Sequence, residues 1–153
     1  MEVVTSTPFL SSVEKLVPVP VEWSVSTSSR FRIEILDEHE IEVSFTAISK
    51  AGRLLPPSDR CEKLITCRFG IVGGTRTAPP TLEGYALDRK KYNSELIGEF
   101  DPRFYVVEGS LWLEDERATG NPYVVPESQN YLILGADFSY QLLAAEFRYG
   151  ESV

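Results

Sequence analysis

The chain has 153 residues and a formal net charge of −8, with 42% hydrophobic and 25% charged residues. These values favour one globular domain and exclude a wholly disordered chain. Residues 1–92 hold 12 basic and 12 acidic side chains, whereas residues 93–153 hold 3 basic and 11 acidic ones. Because phosphate groups are bound by clustered Lys and Arg, this pattern argues against nucleic acid and against an anionic membrane surface as the main ligand.

The sequence contains no apolar run that approaches the about 18 residues of a membrane span. Its first ten residues, MEVVTSTPFL, lack the basic region and the long apolar run of a signal peptide. In an extended stretch, Cys61 and Cys67 would lie ~20 Å apart, which is too far for a disulfide bond. We therefore expect reduced, buried thiols and a cytoplasmic or other intracellular location.

A short helix is predicted near the N-terminus. Thr7-Pro8 resembles an N-cap followed by proline at the first helical position, and Pro18 would end the helix. The apolar residues that fall on one helical face are Phe9, Leu10, Val13, Leu16 and Val17. A rigid extended arm is the alternative. Residues 1–18 are thus expected to form an arm or helix that packs on a single β domain of residues 19–153.

The clearest strand signal is the stretch Arg30–Ser49, where apolar and polar residues alternate on both sides of Asp37-Glu38-His39. Alternation of this kind gives one apolar and one solvated face, so a β-hairpin is predicted. Residues 19–25 alternate as well, and because Pro20 cannot donate to a ladder, that strand is expected to start at, or lie along, a sheet edge. A turn is predicted at 50–53 and a loop at 54–59.

The second half of the chain reads as short strands with Gly, Pro and Asn between them. A strand is predicted over Leu64–Val72, and a short helix that carries Cys61, Leu64 and Ile65 is the alternative. The stretch Gly73–Pro80 is predicted to be a loop. Residues 114–122 are predicted to be an acidic loop, and residues 88–100 a helical turn or a loop. The remaining strands are predicted at 82–87, 104–107, 110–114, 123–125, 131–134 and 140–149, with a helix as the alternative for residues 138–146.

The total of eight or nine short strands predicts an all-β fold, an antiparallel β-sandwich of jelly-roll type. A β-barrel is the alternative. Long and uneven connections favour the sandwich, because an up-and-down barrel would have shorter and more regular turns.

The sequence indicates no catalytic, metal or cofactor site. His39 is the single histidine and lies in a predicted exposed turn, so the His and Cys ligands are too few for zinc. Glu114, Asp115 and Glu116 lack the ordered spacing of a calcium loop. Gly73-Gly74 lacks both glycine-rich phosphate-binding patterns.

Two stretches are predicted to contact other proteins. Trp112 lies between Leu111 and Leu113, so a strand there would be apolar on both faces. The same reasoning selects Leu142, Leu143 and Ala144, with burial inside the chain as the alternative. Arg76 is a candidate for contact with a partner from its predicted loop.

We therefore expect a non-enzymatic structural or assembly module that binds copies of itself or other proteins. A capsid-like subunit of a virion is one form that it could take. A small-ligand-binding β-barrel is the first alternative, which a large apolar cavity would support. A hydrolase that uses two facing carboxylates is the second.

Overall fold

The computed structural model describes residues 14–78, 102–136 and 138–152. These residues form eight β-strands, one α-helix and two short 3₁₀ segments. The strands are β1 Lys15–Pro18, β2 Trp23–Val25, β3 Arg32–Asp37, β4 Glu40–Ser49, β5 Glu62–Ala78, β6 Phe104–Glu108, β7 Gln129–Leu134 and β8 Ser139–Ser152. Helix α1 is Leu111–Ala118, and the 3₁₀ segments are Gly52–Leu54 and Pro57–Asp59.

All eight strands belong to one antiparallel sheet in the order β1-β6-β7-β8-β5-β4-β2, and β3 pairs with β4 beside β2. The sheet is open rather than closed into a barrel. The prediction of an antiparallel, sandwich-like all-β fold is therefore confirmed, and the barrel alternative is not. In the described residues, no helix is long and apolar enough to cross a membrane.

The predicted hairpin consists of β3 and β4, with Ile33 opposite Val43 and Ile35 opposite Ile41. Alternation sets this pairing because every second residue of β4 points into the core. Val43 and Phe45 are at most 1% exposed, and the residues between them are only partly buried. A one-residue shift would move the whole apolar set into solvent, so the register is strongly specified.

The main hydrophobic core is aromatic and connects distant strands. Trp23 lies 5.4 Å from Phe45 and 6.0 Å from Phe104 between ring centroids. Phe69 lies 5.2 Å from Tyr131. Such offset and edge contacts add to the stabilisation from burial. One core therefore joins β2, β4, β5, β6 and β7.

Strands β6 and β7 and the first part of β8, residues 139–144, are also buried on their other face. The residues of this second layer are Leu16, Tyr105, Val107, Leu132, Leu134 and Leu143, each at most 2% exposed. Helix α1 lies over this face. A hydrogen bond of 3.0 Å from Asn130 Nδ2 on β7 to Ser110 Oγ, the N-cap of α1, connects the two. The strands thus read as nearly continuous apolar runs, in contrast to the alternating β4.

Helix α1 replaces the strand predicted at 110–114 and part of the acidic loop predicted at 114–122. Ser110 Oγ accepts a hydrogen bond from the Leu113 amide at 3.1 Å, which caps the helix. Glu114 lies in the first turn and Arg117 in the last turn, where the charge of each side chain interacts favourably with the helix dipole and stabilises the helix. The predicted strand at 123–125 is also wrong, because Asn121 Oδ1 accepts from the Tyr123 amide and forms a turn.

Strand β5 continues through residues 73–78, where a loop was predicted. The register against β8 shifts between Val72 and Gly74, so the two glycines form a β-bulge inside a long strand. A Cβ at Gly73 would lie 2.7 Å from Val124 Cγ2, so the close approach of that loop requires glycine in the strand and gives it the composition of a loop.

Near the N-terminus, residues 15–18 form β1 against β6, which corrects the predicted end of a helix. The rest of the predicted helix, at 8–13, lies outside the described residues. The predictions for 79–100, including the strand at 82–87, also lie outside them.

Candidate functional site

The outermost strand beside β4 is β3, and it is almost entirely solvent-exposed. Ile35 is 70% exposed and Leu36 is 38% exposed. Among the described strands β3 pairs with β4 alone, so no described strand pairs with its second edge. An edge of this kind, with apolar side chains, is a template for another strand.

The edge has a defined beginning and a defined end. Before it, the Ser29 carbonyl accepts a hydrogen bond from the Ala136 amide at 2.9 Å, and Ser29 Oγ accepts from the Thr46 amide at 2.8 Å. At its other end, the pairing with β4 is irregular between Ile35 and Asp37. The regular edge is therefore a short segment held between an anchored residue and a bulge.

The charged residues of β3 are arranged unevenly with respect to β4. Glu34 lies opposite Glu42, a like-charged pair, while Arg32 lies opposite Ser44. Glu42 is compensated by Arg68, whose Nη2 lies 3.1 Å from Glu42 Oε2. Among the described residues, neither Arg32 nor Glu34 has an ion-pair partner. The edge thus carries one uncompensated charge of each sign.

The tip of the hairpin is held by His39. Its backbone amide donates to Asp37 Oδ1 at 2.7 Å, and its carbonyl accepts from the Val72 amide at 2.9 Å. Its ring stacks on Tyr123 with 3.4 Å between centroids. His39 is in the predicted turn, but its side chain is 32% exposed and packs on another loop. It joins the tip to residues 121–125.

Trp112 and Arg76, two of the predicted interface residues, contact each other. The Arg76 guanidinium lies 4.2 Å from the centroid of the Trp112 ring, a cation–π contact. Arg76 Nε and Nη2 also donate to Gln141 Oε1 at 3.2 and 3.1 Å. Arg76 is on β5 rather than in a loop, and Trp112 is on α1 rather than in a strand. The argument from a strand with two apolar faces is therefore wrong for Trp112.

The other predicted interface residues lie inside the chain. Leu142, Leu143 and Ala144 have no exposed surface. Leu142 and Ala144 face the main core, whereas Leu143 faces the second buried layer. Burial within one chain accounts for their apolar pattern, and their role in contacts between chains stays a prediction.

The two thiols differ from the predicted pair of buried cysteines. Cys61 is exposed and Cys67 is buried, and both are free. Burial raises the pKa of the Cys67 thiol well above its usual range, which makes it a poor nucleophile. Cys61 precedes β5 in the chain, outside the core, which is why the prediction of burial holds for Cys67 alone.

A cavity of about 230 Å³ lies on the solvent face of the sheet over Gly70. Glu40 and Glu146 are the cross-strand neighbours of Gly70 on either side, and Arg68 and Arg148 also line the cavity. Arg68 Nε lies 3.4 Å from Glu40 Oε1, so one carboxylate is already in an ion pair. The cavity is a polar depression of mixed charge that can accept a small polar group.

A second cavity, of about 340 Å³, lies between β6 and α1. Arg117 closes one side, where its Nη2 donates to the Pro126 carbonyl at 3.2 Å.

Within the described ranges, no group of three or more His, Cys, Asp or Glu side chains could hold a metal ion. No protein-family model, curated protein or solved structure matches this chain.

The sequence did not single out the β3 edge as a site. Its residues were assigned to a β-hairpin with one apolar and one solvated face, and this pattern does not tell which strand is outermost in the sheet. The adjacent apolar residues Ile35 and Leu36, which break the alternation before the turn, were the one available signal. They mark the bulge and the exposed end of the strand.

Proposed function

We propose that this protein is a non-enzymatic interaction module of a protein assembly, and that it docks an extended protein segment on β3. A capsid-like or other self-associating subunit is one member of this class. The observation that carries the proposal is the open, regular edge of β3 with Ile35 70% exposed beside it.

The physical basis is strand addition. A segment that pairs with β3 would satisfy its outward backbone groups and cover Ile35 and Leu36, which supplies both hydrogen bonds and apolar burial. Main-chain pairing accepts many sequences, whereas the side chains at the edge select among them. Asp37, Glu38 and Glu40 at the hairpin tip favour a segment with basic residues at that end.

The test uses a displayed library of random nine-residue peptides selected on the wild-type protein. Two variants serve for counter-screening: Ile35→Lys, which places a charge on the edge, and Leu54→Lys, a control at a residue that is 88% exposed on a 3₁₀ segment. Loss of the apolar contact at Ile35 is worth about tenfold or more in affinity. We expect peptides that bind wild type and Leu54→Lys equally and bind Ile35→Lys at least that much more weakly.

Hydrogen exchange then locates the peptide. At a protein concentration low enough for the chain to be monomeric, the β3 amides should become protected when a selected peptide binds, since outward amides that exchange with solvent would enter a ladder. Peptides that bind Ile35→Lys as tightly as wild type, or that protect amides elsewhere and leave β3 unchanged, would refute the docking function.

A further inference from the structure

We propose that the strand that docks on β3 is the β3 of a second copy of this chain, paired antiparallel about a two-fold axis at Ile33. This inference rests on the proposed function and names the partner for the same edge. The result is a dimer in which two sheets join into one.

The limits of the edge place the axis. The Ser29 carbonyl is already bonded to Ala136, and the pairing with β4 becomes irregular before Asp37. The midpoint between Ser29 and Asp37 is Ile33. In a symmetric antiparallel pair the same patch is used on both copies, and residues equally distant from the axis face each other. An axis at Ile33 pairs residues 31–35 of one copy with the same residues of the other, so it uses the regular part of β3, residues 32–35, together with Phe31 before it.

The charges of the edge match in this register. Arg32 of each copy faces Glu34 of the other, so two opposite-charge pairs form, and such cross-strand pairs stabilise a sheet. Within one chain Glu34 faces Glu42, and neither Arg32 nor Glu34 has an ion-pair partner among the described residues. A second copy supplies the partner that each of them lacks.

The apolar side chains match as well. Ile33 faces its own copy, and Phe31 faces Ile35 across the axis. The Phe31 ring is fixed in its own chain against Phe45 and Phe138, with 6.0 and 5.5 Å between centroids. Ile35, now 70% exposed, would gain a rigid apolar neighbour without a change in the fold of either chain.

Charge also separates this register from its nearest neighbour. An axis at Glu34 would place Glu34 directly opposite its own copy, and like charges opposite each other destabilise a pair. Charged residues on an edge strand usually prevent pairing between chains. Here the order Arg32-Ile33-Glu34 is self-complementary, so the same charges favour one specific pairing.

The experiment is a charge exchange followed by sedimentation velocity across a concentration series. Wild type should show a concentration-dependent dimer. Arg32→Glu alone places Glu against Glu in both pairs, and Glu34→Arg alone places Arg against Arg, so each should weaken self-association by about tenfold or more. An equimolar mixture of the two variants restores both opposite-charge pairs, and we expect a heterodimer. Leu54→Lys should dimerise as wild type does.

Thermal unfolding of each variant checks that the chain is folded. Both substitutions are at exposed positions of the edge, so each variant should unfold cooperatively as wild type does. A wild type that stays monomeric at all concentrations would overturn the inference, and so would a mixture that is no heavier than the single variants. If peptides still discriminate Ile35→Lys in that case, the docking function stands with a different partner. If they do not, both proposals fail.

Discussion

Replacement of Leu143 by alanine separates burial within the chain from contact between chains. Leu143 has no exposed surface and faces the second buried layer beside Trp112. The change removes three carbon groups, worth about 2.4 kcal/mol at ~0.8 kcal/mol each. The cavity left behind brings the expected loss to about 3 kcal/mol in the free energy of unfolding, within the ~2–5 kcal/mol usual for such changes.

Urea unfolding of Leu143→Ala measures this loss directly. For a chain of this length, about 3 kcal/mol corresponds to a Tm lower by roughly 6–12 °C. Leu64→Ala is the matched control, since Leu64 is 44% exposed on the solvent face of β5 and should cost less than about 1 kcal/mol. If Leu143→Ala unfolds at the wild-type urea concentration and instead lowers the solution mass, the residue belongs to an interface between chains and the reasoning from burial fails.

Four further results are expected from the described contacts. Iodoacetamide at mildly alkaline pH should modify Cys61 in the folded protein and Cys67 only after unfolding. The free energy of unfolding should also fall as pH rises from about 8.5 to 10, because the unfolded chain releases the Cys67 proton in this range while burial raises the pKa of the folded thiol and retains it; a flat profile would contradict this. Ser110→Ala removes the cap of α1 and a bond to the buried asparagine of β7, so chemical denaturation should show a loss of about 2 kcal/mol. Gly135→Ala would bring a methyl group within 2.7 Å of the Phe31 ring and should cost about 1–3 kcal/mol in thermal unfolding, whereas Gly150→Ala, with no atom within 4 Å, should cost less than about 0.5 kcal/mol.

The sequence predicted best those strands that have one face in solvent. In β3 and β4, alternation reports the face directly, and the hairpin was located to within a few residues. Where both faces are buried, alternation disappears and the pattern no longer reports conformation. The stretch Leu111–Leu113 was assigned to a strand because three consecutive apolar residues resemble such a strand, although Leu111 is 42% exposed. Ser110 before the stretch and Arg117 after it are typical helix-end signals.

The candidate site was harder to predict because an edge is a property of the whole sheet. Alternation in residues 32–37 is the same for a central strand and for an outermost one. Only the pairing partners distinguish the two cases. Strand β4 pairs with β5 as well as with β3, whereas among the described strands β3 pairs with β4 alone. Arg76 shows a related difficulty, since the bulge at Gly74 has the composition of a loop.

The pairing of β5 with β8 has a consequence for how the chain folds. Thr66 pairs with Gly150 and Ala78 with Ser139, so the longest ladder of the sheet joins segments that are distant in sequence. Closing such a large loop costs entropy before any contact compensates it, and proteins with many distant pairings fold slowly. The meander of β3, β4 and β5 can form from neighbouring residues, but one side of β5 stays uncovered until β8 emerges from the ribosome. During synthesis, this uncovered strand rather than the exposed β3 edge is therefore where aggregation would begin.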